Sequence, residues 1–114
     1  MKFGLPEVTY RSLQDYFHQQ PAIWRVIIYG SRGMGTHEPA SDIDLALEVE
    51  VDDTVEAFFL IGRIKTELEE LPTPYRFDVT DLGTLKHDGL REHINRIGKV
   101  FYHRRKSTPQ EKLI

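Results

Sequence analysis

The sequence predicts an α/β fold of the α+β type, in which a small mixed β-sheet is flanked by helices. Segments with apolar residues at helical spacing alternate with short apolar or alternating segments, in the order helix–strand–strand–helix–strand–helix. The length of 114 residues is enough for one hydrophobic core and too short for a separate substrate domain. We expect one domain at residues 1–103, followed at 104–114 by a polar tail that is flexible or ordered by a partner.

The first helix is predicted after Pro6, because proline is tolerated in the first turn of a helix. Tyr10, Leu13 and Phe17 then recur at helical spacing, and a following proline ends the segment. Residues 24–29 are almost uniformly apolar and rich in β-branched side chains. This composition is typical of a strand that is buried on both faces.

The second strand is predicted from its clean alternation of polar and apolar residues. Asp42, Asp44, Ala46 and Glu48 share one face of this strand, and the residues between them point into the core. Asp53 then begins a capping-box pattern, which predicts the start of a long helix. The predicted buried stripe of that helix is Ala57, Leu60, Ile61, Ile64, Leu68 and Leu71. For Phe58 and Phe59 the helical spacing leaves a core role and an interface role open.

The remaining elements follow two prolines that end the long helix. A third strand is predicted at residues 75–82, with Asp78 on its polar face. A last helix is predicted around residues 90–97, with Gly98 as its C-cap glycine. Residues 100–102 add a short strand.

Composition excludes several classes of protein. A net charge of −3 argues against a dedicated nucleic-acid binder, which usually carries a basic surface. No apolar run is long enough to span a membrane, and no signal-peptide pattern is present, so we expect a cytoplasmic protein. The chain has no cysteine and therefore no disulfide or thiolate ligand. The basic run at residues 103–106 is interpreted as a solvated tail, with an RNA or partner contact as the alternative.

Candidate functional residues cluster between the first two strands. Gly30 permits a tight turn and the close approach of a ligand, because it has no side chain. Ser31 lies where a helical turn could begin, a place whose free N–H groups attract phosphate, and its alternative role is a helix N-cap. Arg32 could pair with a triphosphate, and an exposed, unpaired arginine is the alternative.

Three carboxylates are the candidate metal ligands. If the strands that carry Asp42, Asp44 and Asp78 are neighbours, the three groups meet on one open face. Two unit charges ~4 Å apart repel by roughly 4 kcal/mol at an effective dielectric near 20, and a divalent cation would relieve this repulsion. Hard oxygen ligands beside a phosphate substrate favour Mg²⁺, and two ions could stabilise an in-line transfer. The alternative is a solvated polar strand face. Asp81 is a rival to Asp78, but it falls on the opposite face of a regular strand.

These residues resemble a known motif. Gly30-Ser31, ten further residues and then Asp42-Ile43-Asp44 resemble the signature of the nucleotidyltransferase superfamily that includes DNA polymerase β. In so short a chain, GSRGMG…SDIDLAL is similar to the minimal MNT-type members, the antitoxin-like partners of HEPN proteins. The resemblance covers residues 6–102. One departure is that Met34 stands where such families often carry a second arginine.

The resemblance implies a fold, site roles and a function. It implies a nucleotidyltransferase fold in which Asp42 and Asp44 are the metal-binding pair and Asp78 is the third carboxylate, which acts as base for the attacking hydroxyl. The implied reaction moves a nucleoside monophosphate, AMP from ATP or another NTP, to a hydroxyl. The implied acceptor is a tyrosine of a HEPN toxin, and the protein would act as an antitoxin of a toxin–antitoxin system. Two alternatives stay open: a non-catalytic protein that neutralises its partner by occlusion, and nucleotidyl transfer to a small molecule.

Overall fold

A computed structural model describes residues 2–104 as a four-stranded mixed sheet with helices on both faces. The predicted fold class is confirmed, and the predicted short last strand is present. The elements are α1 (Glu7–His18), β1 (Ile23–Tyr29), α2 (Gly30–Met34), β2 (Ile43–Val49), α3 (Thr54–Glu69), β3 (Phe77–Asp81), α4 (Asp88–Ile97) and β4 (Lys99–His103). The five-residue α2 includes Ser31, where the sequence allows a helical turn to begin.

The sheet has the strand order β3-β2-β1-β4. β1 lies antiparallel to both β2 and β4, whereas β2 and β3 are parallel. Parallel neighbours need a crossover connection, which α3 supplies between β2 and β3. The two strands that carry the predicted carboxylates are therefore adjacent.

One face of the sheet is covered by α1 and α3 and forms the main core. α3 begins at its predicted cap, where Asp53 Oδ1 accepts hydrogen bonds from the backbone N–H groups of Val55 at 2.8 Å and Glu56 at 3.1 Å. Its predicted stripe lies on the core side, with Ile64 and Leu68 fully buried. The buried residues of this core are Leu5, Leu13, Phe17, Ile23, Val26, Ile28, Ile43, Leu45, Leu47, Ile64, Leu68, Phe77, Phe101 and Tyr102.

The opposite face is only partly covered, by α2 and α4. A smaller cluster joins Ile27, Tyr29, Ala46, Leu82 and Ile94 on this face. The alternation of β2 puts its carboxylates on the same side as Ala46, beyond the apolar contact with α4. This partly covered face therefore positions the candidate site.

Gly98 follows α4 as predicted, but it does not have the left-handed conformation of a C-cap glycine. Its φ is −64°, and its N–H donates to the Ile94 carbonyl at 2.8 Å. A Cβ at this position would lie 2.4 Å from the Ile94 oxygen and 2.6 Å from Ile27 Cγ2. Glycine is needed here because α4 and β1 pack too closely for any side chain.

The predicted domain boundary stays a prediction. β4 ends at His103, and residues 105–114 of the proposed tail lie outside the described residues. Within residues 2–104, no helix is long and apolar enough to cross a membrane.

Candidate active site

The turn between β1 and α2 is built around Gly30. The chain leaves β1 at Tyr29, and Gly30 adopts a positive φ of 65°, a conformation that favours glycine. A Cβ on Gly30 would lie 2.2 Å from Asp44 Oδ2, so the absence of a side chain makes room for this carboxylate. The predicted tight turn with a close approach is present, and the group that approaches is an acidic side chain of the protein itself.

Ser31 lies within the first turn of α2. The helix N-cap is Tyr29, and no side-chain hydrogen bond caps the helix, so the N-cap alternative for Ser31 is wrong. Ser31 is partly exposed beside Gly30. Its phosphate-binding role therefore stays a prediction.

Asp44 and Asp78 lie directly opposite each other in the register of β2 and β3. Asp42 precedes β2 by one residue and, like Asp78, is exposed, whereas Asp44 is half-buried. Burial raises the pKa of Asp44 above its usual value, and the charges of Asp78 and Asp42 raise it further. Asp42 and Asp78 are thus both within electrostatic range of Asp44.

The donor chemistry of this site suits a hard cation, although the side chains do not form a closed ligand set. Within residues 2–104, no group of three or more histidine or acidic side chains is arranged so that it could hold a metal ion. Asp44 and Asp78 nevertheless present oxygen donors from adjacent strands, and the charges of Asp78 and Asp42 add to the burial that raises the pKa of Asp44. A divalent cation would relieve that repulsion. The three-carboxylate metal site stays a prediction.

Asp81 lies apart from this cluster. It pairs with Leu47 at the other end of β3, and its Oδ1 accepts a hydrogen bond from the N–H of Gly83 at 3.0 Å. Asp81 therefore holds the turn that follows β3.

Arg32 is buried, which contradicts only the alternative of an exposed, unpaired arginine. It is 1% exposed, so it is not a surface arginine. Its guanidinium donates to the carbonyls of Phe3 at 2.8 Å, Pro39 at 3.2 Å and Ser41 at 3.0 and 3.1 Å, and it lies 5.0 Å from the centre of the Tyr75 ring. Burial lowers its pKa below the usual value. These carbonyls engage the guanidinium in the structure, and the phosphate-binding role of Arg32 stays a prediction.

Arg32 instead supports the loop that carries Asp42. Ser41, which accepts two of its hydrogen bonds, directly precedes Asp42. The Ser41 hydroxyl in turn accepts the N–H of Glu38 at 2.8 Å. One buried cation therefore joins α2 to the loop before β2 and to the N-terminal segment.

Two neighbours of the carboxylates were missed by the sequence analysis. Tyr29 pairs with Asp44 across β1 and β2, and its hydroxyl lies 3.3 Å from Thr80 Oγ1. Burial raises the pKa of Tyr29, and the nearby carboxylates raise it further, whereas the hydrogen bond with Thr80 lowers it. His93, on α4, has its ring 6.1 Å from the Tyr29 ring, and its charge lowers the pKa of Asp44. Its position three residues after Leu90, on the apolar side of α4, could have indicated that His93 faces the sheet.

The fold and the carboxylate face define the class of this protein as a nucleotidyltransferase domain. The family model described as Polymerase beta, Nucleotidyltransferase matches residues 11–107, so the chain belongs to this family. Among curated proteins, no significant match is found.

Solved structures with the same fold include several toxin–antitoxin complexes. A toxin–antitoxin crystallised with AMP-PNP has a TM-score of 0.56 and 21% identity over 96% of this chain and 80% of that one. The MntA–HepT toxin–antitoxin has a TM-score of 0.53 and 15% identity over 95% and 79%. A tri-AMPylated HEPN toxin in complex with MNT antitoxin, from Shewanella oneidensis, has a TM-score of 0.53 and 16% identity over 94% and 76%. At these identities the similarity shows the shared fold.

Proposed function

We propose that this protein is an Mg²⁺-dependent nucleotidyltransferase that moves AMP from ATP to a tyrosine hydroxyl of a HEPN-type toxin, and that it acts as the antitoxin. The observation that carries the proposal is the pairing of Asp44 with Asp78 beside Gly30, on the open face of the sheet. The structurally similar complexes support the substrate and the partner, since one was crystallised with AMP-PNP and another contains an AMPylated HEPN toxin.

The chain's own residues divide the work of the transfer. Asp42, Asp44 and Asp78 would hold one or two magnesium ions, which supply positive charge to the attacking and leaving oxygens. The backbone at Gly30 and the hydroxyl of Ser31 would lie along the nucleotide phosphates. The acceptor oxygen bonds to the α-phosphorus, the bond to pyrophosphate breaks, and the hydroxyl proton passes to Asp78.

Asp78 suits the role of base because it is exposed on an edge strand. β3 is one of the two edge strands of the sheet, and the Asp78 side chain is exposed to solvent. A hydroxyl from a second protein can therefore reach Asp78.

The test is transfer of label from ATP carrying a radioactive α-phosphate to a co-expressed HEPN-type partner in the presence of Mg²⁺. We expect Asp78→Asn to slow the transfer by about 10²–10³-fold, because one preorganised polar group is lost from the reacting centre. Asp81→Asn is the matched control, since it changes a carboxylate of the same strand that faces away from the site. Equal rates for the Asp78 variant and the wild type would refute the site.

A second candidate is neutralisation by occlusion alone. It is favoured by the absence of the second arginine, whose place is taken by an exposed Met34, together with the occupation of Arg32 by backbone carbonyls. Neither side chain then offers a cation to a triphosphate. In the same experiment, occlusion would give a stable and inactive complex whose toxin carries no label, whereas catalysis would label the toxin.

A further inference from the structure

His93 is a half-buried side chain of α4 that borders the carboxylate face of the sheet, and the transfer described above gives it no role. Its ring centre lies 6.1 Å from that of Tyr29, and the two ring planes meet at 84°. Tyr29 is the β1 residue that pairs with Asp44 of β2. His93 therefore reaches the proposed active site from α4, through contact with the strand residue opposite Asp44.

The ring nitrogens of His93 are available to a ligand. Within residues 2–104 they take part in no hydrogen bond. In the same part of the chain, the buried side-chain polar atoms without a partner belong to His37 and Thr73, so the nitrogens of His93 are open to solvent. His87, which precedes α4, has a structural use instead, because its Nδ1 accepts the N–H of Leu90 at 3.0 Å and caps the helix.

A phosphate group near the carboxylates would find a basic partner in His93. The charge of His93 acts on the carboxyl group of Asp44, so the imidazole is within electrostatic range of the proposed metal site. Two other cations of this region are engaged in the structure. The guanidinium of Arg32 donates to three backbone carbonyls, and Lys99 donates to a backbone carbonyl of α2 at 2.7 Å. The donors of His93 have no such partner.

The sheet order assigns His93 to one side of the reaction. β2 lies between β1 and β3, so His93 and Asp78 approach Asp44 from opposite sides. In phosphoryl transfer the attacking and leaving oxygens lie roughly in line, on opposite sides of the phosphorus. If Asp78 receives the proton of the attacking hydroxyl, the leaving group lies toward β1 and α4. The α4 helix also packs against α2, along which the nucleotide phosphates are proposed to lie.

We propose that His93 is a further catalytic residue, whose imidazole N–H donates a hydrogen bond to the departing pyrophosphate. The inference rests on the proposed function and adds the group that acts on the leaving side. The bond from the α-phosphorus to the bridging oxygen breaks, its electron pair stays on that oxygen, and pyrophosphate leaves as an anion. The imidazole keeps its proton. Because imidazole carries an N–H donor in both protonation states, the step does not depend on its titration.

The dependence of the rate on the leaving group tests this role. Transfer to the HEPN-type partner is measured with ATP and with two analogues in which CH₂ or CF₂ replaces the oxygen between the β- and γ-phosphorus. The CH₂ analogue releases the more basic bisphosphonate and is the poorer substrate. We expect His93→Ala to slow transfer from ATP about 10²-fold, because a donor to a developing charge is lost. It should slow the CH₂ analogue several-fold more than the CF₂ analogue.

A structural role of His93 would give a different result. Each comparison is made within one variant, so a smaller folded fraction lowers both rates equally and leaves their ratio unchanged. His93→Gln keeps an N–H donor and should keep the wild-type ratio. His18→Ala is the matched control, since His18 is exposed on α1, which covers the other face of the sheet, and its rates should equal those of the wild type.

The outcomes separate this inference from the proposed function. Equal slowing of the two analogues by His93→Ala would overturn the role of His93 and leave the transfer itself standing. A wild type that moves no label from ATP to the partner would overturn both.

Discussion

The two faces of the sheet differ in what they bury. Among residues 2–104, the face under α1 and α3 joins fourteen buried residues in one cluster, whereas the other face joins five. The second face leaves room for three acidic side chains, and burial and mutual repulsion act against the charge of Asp44. The main core and the proposed active site thus lie on opposite faces of one sheet. Substitutions on the core face should lower stability and spare activity, whereas substitutions of the carboxylates should lower activity and spare stability.

The largest effect is expected for Asp44→Asn. Transfer should fall about 10³-fold, because several kcal/mol of charge stabilisation are lost from the reacting centre. Stability at neutral pH should not fall and should rise modestly. The folded-state pKa of Asp44 lies above its usual value of 3.8, so its contribution to stability is present below pH 3.8 and is lost as the pH rises through the folded-state pKa.

Urea unfolding of both proteins at pH 7 and at pH 3 measures this gain, which should disappear at the lower pH. Leu68→Ala is the contrasting variant, since Leu68 is fully buried on the other face. It should lose about 3 kcal/mol of unfolding free energy and keep its activity per folded molecule. A less stable Asp44→Asn protein at pH 7 would contradict the separation of the two faces.

Arg32→Lys should affect both the stability and the Mg²⁺ requirement of the protein, because Arg32 supports both the fold and the site. One ammonium cannot reproduce the planar set of hydrogen bonds to three carbonyls, and we expect a loss of about 2–4 kcal/mol in unfolding free energy. Displacement of the loop before Asp42 should also raise the Mg²⁺ concentration needed for half-maximal transfer.

Arg25→Lys is the matched control for this variant. Arg25 on β1 pairs with Glu48 on β2, at the end of these two strands that lies away from Asp44. It should leave the Mg²⁺ requirement unchanged. If both variants shift that requirement equally, Arg32 has no specific role in positioning Asp42.

The smallest effect is expected for Tyr16→Phe, which tests the contact between α1 and α3. The Tyr16 hydroxyl donates to Glu67 Oε1 at 2.6 Å, and this hydrogen bond lowers the pKa of Glu67. The resulting stability is present above the usual carboxyl value of 4.5 and is lost as the pH falls through the folded-state pKa. Because the pair is partly exposed, we expect a loss of only about 0.5 kcal/mol at pH 7.

Thermal unfolding between pH 7 and pH 3 measures this difference, which should shrink in acid. Glu67→Gln is the companion variant, and its difference in stability from the wild type should also shrink in acid. A constant difference across this pH range would assign the effect of Tyr16→Phe to packing.

Local patterns were sufficient to predict most of the fold. The alternation of β2 gave the observed strand, and Asp53 gave the observed cap of α3, because both depend on side chains close in sequence. The placement of Asp44 beside Asp78 was predicted only conditionally. It depends on a parallel pairing between segments thirty-four residues apart, for which the sequence carries no local pattern.

The role of Arg32 could not be predicted from sequence. Its partners are backbone carbonyls of Phe3, Pro39 and Ser41, and any residue type supplies a carbonyl. The close packing at Gly98 was hidden for a related reason, since one of its two nearest neighbours, Ile27 Cγ2, belongs to β1, far away in sequence. Residue types predict periodicity and caps, whereas contacts to the backbone of distant segments appear only in three dimensions.

The crossover through α3 also decides when the proposed active site can form during folding. A nascent chain that ends after β2 already contains Gly30, Asp42 and Asp44, but it has no Asp78 to complete the acidic pair. Parallel neighbours cannot form through a hairpin, so the pair assembles only when the whole crossover has closed. A chain divided between Leu71 and Tyr75 would lack the proposed transfer activity until its two pieces reassociated. This segment is therefore a suitable place to split the chain for a reporter of folding.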